Sequence, residues 1–203
     1  MIITIDGKSG QRKSTIGQLV AQKLDFQFLS TGVYARYGAY QIQRILRENP
    51  QLTETEIIEY VNSLEIDHEH MMKFQKKIIR EDSLNVYLSL VVNRTQIYPH
   101  AYSGLKEYIG NKDFVLDGRG LYSVFEEADL KYYFNSTFEK RVEFRTKTSK
   151  KSLEESIEYF RIRDQAELEI EYNSLDLIEI DALAFSTKEL VQRICKDANA
   201  LRK

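Results

Sequence analysis

The chain has one cysteine, two prolines and nine glycines in 203 residues, and each shortage removes a class of protein. A lone cysteine, Cys195, cannot close an internal disulfide, so no disulfide framework is available to this fold. It sits in a helical apolar pattern with Leu190, Val191 and Ile194, which predicts a buried structural thiol rather than a reactive one. The scarcity of proline and glycine argues against long disordered linkers, and no internal repeat is present. No apolar run approaches the length of a membrane span, and the N-terminus enters a strand directly. Neither a spanning helix nor a signal peptide is therefore expected, and the cytoplasm is the expected compartment. A net charge of −2 argues against a surface built broadly for nucleic acid or for an anionic membrane. Any anionic ligand has to be handled by a local basic site.

What is present begins at residue 1. Met1-Ile2-Ile3-Thr4-Ile5-Asp6 reads as a buried β-strand, and Gly7-Lys8-Ser9-Gly10-Gln11-Arg12-Lys13-Ser14-Thr15 follows at once. This is the phosphate-binding loop pattern G-x-x-x-x-G-K-[ST] with one departure, Arg12 in place of the second glycine. An apolar-periodic helix (Ile16, Leu19, Val20, Leu24) comes next, which is the context the motif requires. In such a loop, successive backbone N–H groups and the helix N-terminus wrap an anion. Lys13 adds a point charge, and Ser14 offers its hydroxyl to a metal ion. Glycine at position 12 would let the backbone pass close to phosphate in torsions that a side chain makes costly. Arginine there either crowds a nucleotide or supplies a charge-assisted contact to it.

The remaining chain alternates strands with helices. Phe26–Leu29 reads as a second strand, and a long helix runs from Ser30-Thr31-Gly32 to about Arg47. Thr53 with Glu56 forms a capping box for a helix to about Ser63. Glu65 to His68 alternates like a strand, Met71 to Ile79 fits either type, and Ser83 to Asn93 and Tyr98 to Ile109 read as helices. Phe114 to Leu116 is a strand ending in Asp117-Gly118-Arg119, and Leu130 to Phe134 is another. Helices are expected over Phe138–Lys147 and from Ser152 to about Glu171, then a strand over Leu177–Asp181 and a helix capped by Ser186 and Glu189. This order predicts a three-layer α/β sandwich around a parallel sheet, with ligand at the carboxyl ends of the first and third strands.

Four segments in order resemble the cytidylate kinase family of nucleoside monophosphate kinases nearly end to end. They are Ile3 to Gly7 with its phosphate loop, Leu29-Ser30-Thr31-Gly32-Val33-Tyr34-Ala35-Arg36, Val115-Leu116-Asp117-Gly118-Arg119 with Glu127 to Phe134, and Leu177 to Ile194. The resemblance implies a single P-loop kinase domain over residues 1–203, with an acceptor-binding insert at 31–110 and a short lid at roughly 145–172. It implies transfer of a phosphoryl group from ATP, with Mg²⁺, to CMP, dCMP or a related small acceptor. Gly7, Ser9, Gly10, Gln11, Arg12, Lys13, Ser14 and Thr15 would serve ATP, with Ser14 on the metal. Thr31, Arg36 and Arg119 would serve the acceptor, and Lys13, Asp117 and Arg163 the chemistry. Thr31 also reads as a plain helix cap, Arg36 as a solvated charge, and Asp117-Gly118-Arg119 as a plain turn.

Departures from the family pattern fall on chemistry. Ser30, Ala35 and Gly120 stand at positions that the family uses for its acceptor, which implies broader acceptor selection. In the lid, Arg161, Arg163 and Asp164 remain, but Gln165-Ala166-Glu167-Leu168-Glu169-Ile170-Glu171 replaces an arginine-rich run. Arg12, Lys8, Arg94, Arg141 and Arg145 are the cations that could substitute. Two readings stay open at this level: an active kinase, and a catalytically impaired relative acting as a nucleotide-binding or regulatory module. His68, His70 and His100 make no convincing metal set.

Overall fold

Apolar and β-branched residues make Ile2–Gly7 a strand, and five of its six residues are buried. In this computed structural model, which describes residues 1–78, 84–149, 151–166 and 176–202, that strand is the middle of the sheet. The elements are β1 (Ile2–Gly7), α1 (Lys13–Leu24), β2 (Gln27–Ser30), α2 (Gly32–Glu48), α3 (Glu54–Asn62), α4 (His68–Ile78), α5 (Asn85–Arg94), α6 (Ile97–Ile109), β3 (Phe114–Asp117), α7 (Leu121–Val124), β4 (Leu130–Phe134), α8 (Phe138–Thr148), α9 (Leu153–Ala166), β5 (Leu177–Ile180), a 3-10 turn (Ala182–Ala184) and α10 (Thr187–Leu201). The sheet order is β2-β3-β1-β4-β5, and the β1–β3, β1–β4 and β4–β5 pairs are parallel. The register sets Ile5 opposite Asp117, so the carboxyl ends of β1 and β3 lie side by side. The α/β class, with the first and third strands central, is as the strand–helix alternation predicts.

The chain divides into two compact units, residues 1–29 with 111–203, and residues 30–110. In the first, Ile3 and Ile5 of β1, Val115 of β3 and Tyr132 and Phe134 of β4 meet Ile16 and Val20 of α1 and Leu190 and Ile194 of α10. All nine are essentially excluded from water, and each such aliphatic or aromatic side chain contributes about 1.5–3 kcal/mol by leaving it. This core fixes the position of β1 and α1, and hence of the loop between them. Cys195 is buried here, and burial pushes its thiol pKa up, as expected of a structural cysteine.

Among the described residues, the second unit carries the five helices α2 to α6. A Cβ on Gly38 of α2 would lie 3.0 Å from Val91 and 3.1 Å from Ile97, so the glycine sets how closely α5 and α6 pack on α2. Both halves of the Thr53–Glu56 capping box are formed at α3. The strand-like alternation over Glu65–His68 does not become a strand. The Asp67 side chain accepts from His70 N–H at 3.1 Å and its carbonyl from Met71 N–H at 2.9 Å, so a local cap starts α4 at His68. His68 and His70 are thus two apart on a helix and do not share a face. His68 instead packs inward, Nδ1 2.9 Å from the hydroxyl of buried Tyr34 and its ring 5.5 Å from that of Tyr108. The expected helix from Ser152 is described to Ala166; Glu167 to Glu171, like Ile79 and Ser83, lies outside the described residues. Among the described residues no helix is long and apolar enough to cross a membrane.

Candidate active site

Glycine is required at two loop positions for two reasons each. Gly7 has φ +130° and a Cβ there would lie 2.4 Å from the carbonyl oxygen of Phe134. Gly10 has φ +84° and a Cβ there would lie 2.4 Å from the ring of Phe160. Arg12 breaks the same rule without glycine's freedom: it holds φ 60°, ψ 18° as the residue preceding α1. A left-handed conformation costs a side-chain-bearing residue about 1–2 kcal/mol.

The offset is visible in its guanidinium, which turns onto the segment between β5 and α10. Nη1 donates to Thr187 Oγ1 at 3.1 Å, and Nη2 donates to the carbonyls of Phe185, at 2.7 Å, and Ala182. The group also lies 5.3 Å from the ring centre of Phe144. Hydrogen bonds from a charged donor contribute about 1.5–3 kcal/mol apiece, enough to hold the torsion. Gln11 braces the other side: Nε2 donates to the Phe134 carbonyl, and Oε1 accepts from Ser136 N–H at 2.6 Å. Two consecutive side chains therefore fasten the loop to two different strand ends.

Lys13 Nζ donates to the loop's own carbonyls, those of Gly7 and, at 2.8 Å, of Lys8. Ser14 Oγ donates to Asp117 Oδ2 at 2.6 Å, joining the first turn of α1 to the end of β3. Thr15 is exposed on α1. The Ser9 hydroxyl accepts from Arg119 Nη2 at 2.6 Å and from Arg163 Nε at 3.3 Å. Arginines separated by over forty residues thus converge on the middle of the loop. Asp117, Gly118 and Arg119 are accordingly more than a plain turn, since each end contacts the loop or α1.

The substitute cations have different uses. Arg141 is 2% exposed, makes a two-pronged pair with Asp164 at 3.0 and 2.5 Å, and donates to the Ser9 carbonyl at 3.2 Å. Its guanidinium lies 5.6 Å from the ring centre of Phe138 and 5.0 Å from that of Phe160. Arg145 stacks at 3.7 Å over Tyr159, Lys8 sits 3.8 Å from Asp164, and Arg94, in the second unit, pairs with Glu54.

Asp6 was not singled out from the sequence, yet it is fully buried at the end of β1. Its carboxylate accepts from the N–H groups of Leu121 and Tyr122, each at 3.0 Å. Burial pushes its pKa up to about 6, against the pull of those two N–H groups and Lys13, while Asp117 adds to the rise. Asp6 thereby ties β1 to the turn that carries Arg119. Gly120, inside that turn, has φ 67°, a conformation that glycine takes without strain. The available signal was an acidic residue closing an otherwise apolar strand.

Thr31 and Arg36 belong to the second unit. Thr31 is 1% exposed at the head of α2, but its side chain does not cap that helix; the Tyr102 hydroxyl donates to its Oγ1 at 3.4 Å. Arg36 is half-buried on α2, so it is no fully solvated charge.

A sequence model of the family described as cytidylate kinase matches residues 3–200. The cytidylate kinase of Clostridioides difficile (strain 630) is 29% identical over 215 aligned positions, covering 98% of either chain. That of Mycoplasmopsis synoviae (strain 53) is 26% identical over 209 positions, covering 95% of either chain. A solved gluconokinase from Sinorhizobium meliloti 1021 shares the fold, with a TM-score of 0.51 at 13% identity over 98% of this chain and 91% of that one. With its loop, its sheet order and a family match spanning almost every residue, the chain belongs to the cytidylate kinase family.

Proposed function

We propose that this protein transfers the γ-phosphoryl group of ATP to a nucleoside monophosphate, with CMP and dCMP as the first acceptors to test. The observation that carries the reading is the convergence of Arg119 and Arg163 on the Ser9 hydroxyl, in the loop that also carries Lys13. Phosphoryl transfer needs positioning and neutralisation of charge rather than covalent chemistry from the protein. An acceptor phosphate oxygen attacks the γ-phosphorus while the bond to the β-bridging oxygen breaks, and ADP leaves with that electron pair.

In this reading Lys13 exchanges the carbonyls of Gly7 and Lys8 for phosphate oxygens, a stronger partner for an ammonium. Backbone N–H groups of residues 7–15 hold the β-phosphate. Arg163 takes the transferring group and Arg119 the acceptor phosphate, each exchanging a neutral hydroxyl for an anion. The Ser14 hydroxyl and Asp117 carboxylate are hard oxygen donors 2.6 Å apart, a set that suits Mg²⁺, and these two residues would hold it. When bound, the ion neutralises charge on the β- and γ-oxygens. Thr31 and Arg36 are assigned to the acceptor on the family pattern, with residues 31–110 as the acceptor-binding insert and roughly 145–172 as the lid. Ser30, Ala35 and Gly120 make acceptor selection broader than CMP and dCMP alone. The partners are then two nucleotides, in the cytoplasm, with neither nucleic acid nor membrane involved.

A regulatory, non-catalytic reading drew on three departures, Gly120, the lid run Gln165 to Glu171 and, first among them, an Arg12 that obstructs the loop. With its guanidinium bonded to the 182–187 segment, that obstruction loses its support. A coupled ADP-release assay with Mg²⁺, ATP and a panel of nucleoside monophosphates tests the proposal. Release with CMP and dCMP, and more weakly with other monophosphates, is expected. No release above the acceptor-free control with any of them would end the kinase reading.

A further inference from the structure

We infer that Arg12 is a positioning residue: a latch that sets the phosphate loop by gripping the turn before α10, in place of the glycine that the motif would have there. The inference rests on the kinase reading only for its kinetic readout. Arg12 immediately precedes Lys13 and Ser14, and its carbonyl accepts the α1 hydrogen bond from Ile16 N–H at 2.9 Å. Its φ and ψ therefore decide how the Lys13 and Ser14 amides and side chains are presented. Those torsions are left-handed, and nothing local favours them in an arginine.

What holds them lies about 170 positions further along the chain. Two carbonyls, of Ala182 and Phe185, and the Thr187 hydroxyl accept from the guanidinium, while Phe144 lies 5.3 Å away. Serving three separated acceptors takes a planar fork of donors, which arginine has and lysine lacks. Glycine in this position would relax the torsion but would leave the loop joined to the 182–187 segment by nothing at residue 12. Restoring the motif is therefore expected to harm the site, the opposite of what the motif alone predicts.

The test is a double-mutant cycle with Arg12→Gly and Thr187→Ala, with Arg12→Lys as the conservative variant. Steady-state kinetics give KM for ATP and for CMP separately. Arg12→Gly should raise KM for ATP about tenfold while leaving KM for CMP within about twofold, with Arg12→Lys in between. Thr187→Ala should raise KM for ATP about twofold in the parent protein and have no further effect beside Arg12→Gly, because its partner is already gone. Arg12→Gly binding ATP as well as or better than the parent, or Thr187→Ala acting in full beside it, would overturn the latch. Hydrogen exchange separates this from failure of the kinase reading. Should the parent transfer phosphate to no acceptor, amides of residues 7–16 must still exchange faster in Arg12→Gly with those of α3 unchanged. Equal exchange in the two proteins would sink the latch on its own.

Discussion

Ser14 Oγ stands 2.6 Å from Asp117 Oδ2, so a hydroxyl in the first turn of α1 is held by a carboxylate at the end of β3. Asp117 is 3% exposed and pairs in register with Ile5, so the sheet itself fixes this acceptor. Under the proposed function, Asp117→Ala should lower kcat about a hundredfold or more, and shift the Mg²⁺ dependence of the rate to higher concentration. Lys13→Ala should cost at least as much, because it removes the loop's point charge. Rates that ignore Lys13→Ala would show that phosphoryl transfer does not use this loop.

Arg163 and Arg119 contact the same Ser9 hydroxyl but should fail differently. Arg163→Ala should lower kcat by about a thousandfold, the scale of a cation on the transferring phosphoryl group, with KM for the acceptor little changed. Arg119→Ala should act mainly through KM for the acceptor. The comparison needs kcat and KM for both nucleotides. An Arg163→Ala enzyme with parental kcat would remove it from the chemistry.

Local signals were the ones legible in the sequence. The capping boxes of Thr53–Glu56 and Ser186–Glu189 both form, because each needs only four consecutive residues. The strand Phe114–Asp117 was legible because a strand buried at every position leaves a continuous apolar run. Phe26–Leu29 came out one residue later, at Gln27–Ser30, since strand ends depend on the neighbouring strand. What stayed hidden depends on distant partners. Nothing near Arg12 points to Thr187, nothing near Asp6 to Leu121, and nothing near Arg141 to its pairing with Asp164. Over Glu65–His68 a four-residue alternation lost to one aspartate cap.

Arg141 separates structure from chemistry. It is a buried cation whose charge is met by Asp164, and it joins α8 and α9 to the Ser9 carbonyl. Removing one member of a buried pair costs about 3–5 kcal/mol, and the low end applies here, because Asp164 is 19% exposed and keeps Lys8 at 3.8 Å. Arg141→Met should therefore lower the thermal midpoint by many degrees, and adding Asp164→Leu should recover much of the loss. Calorimetric unfolding of the two variants checks this. A single Arg141→Met variant as stable as the parent would contradict the pairing as drawn.

Asp6 predicts a pH dependence of unusual sign for a carboxylate. Burial raises its pKa from 3.8 to about 6, so between those values the folded chain holds a proton that the unfolded chain has released. Its contribution to stability is then full below about pH 4, declines as pH rises to about 6, and is flat above. The size of the decline is about 3 kcal/mol, from roughly two pKa units. Carboxylates held low by partners act in the opposite sense, Asp113 by the N-terminal ammonium among them: they lose stability as pH falls. The difference between parent and Asp6→Asn isolates the one group. Asparagine offers one oxygen where Asp6 serves two N–H groups, so the variant should also loosen the Leu121–Tyr122 tie and raise KM for the acceptor through Arg119. Urea unfolding from pH 4 to 7 should show stability falling more steeply with pH in the parent than in Asp6→Asn, the two profiles becoming parallel above about pH 6. Profiles parallel across the whole range would mean that Asp6 titrates alike in folded and unfolded chains, and the buried clamp would have to be abandoned.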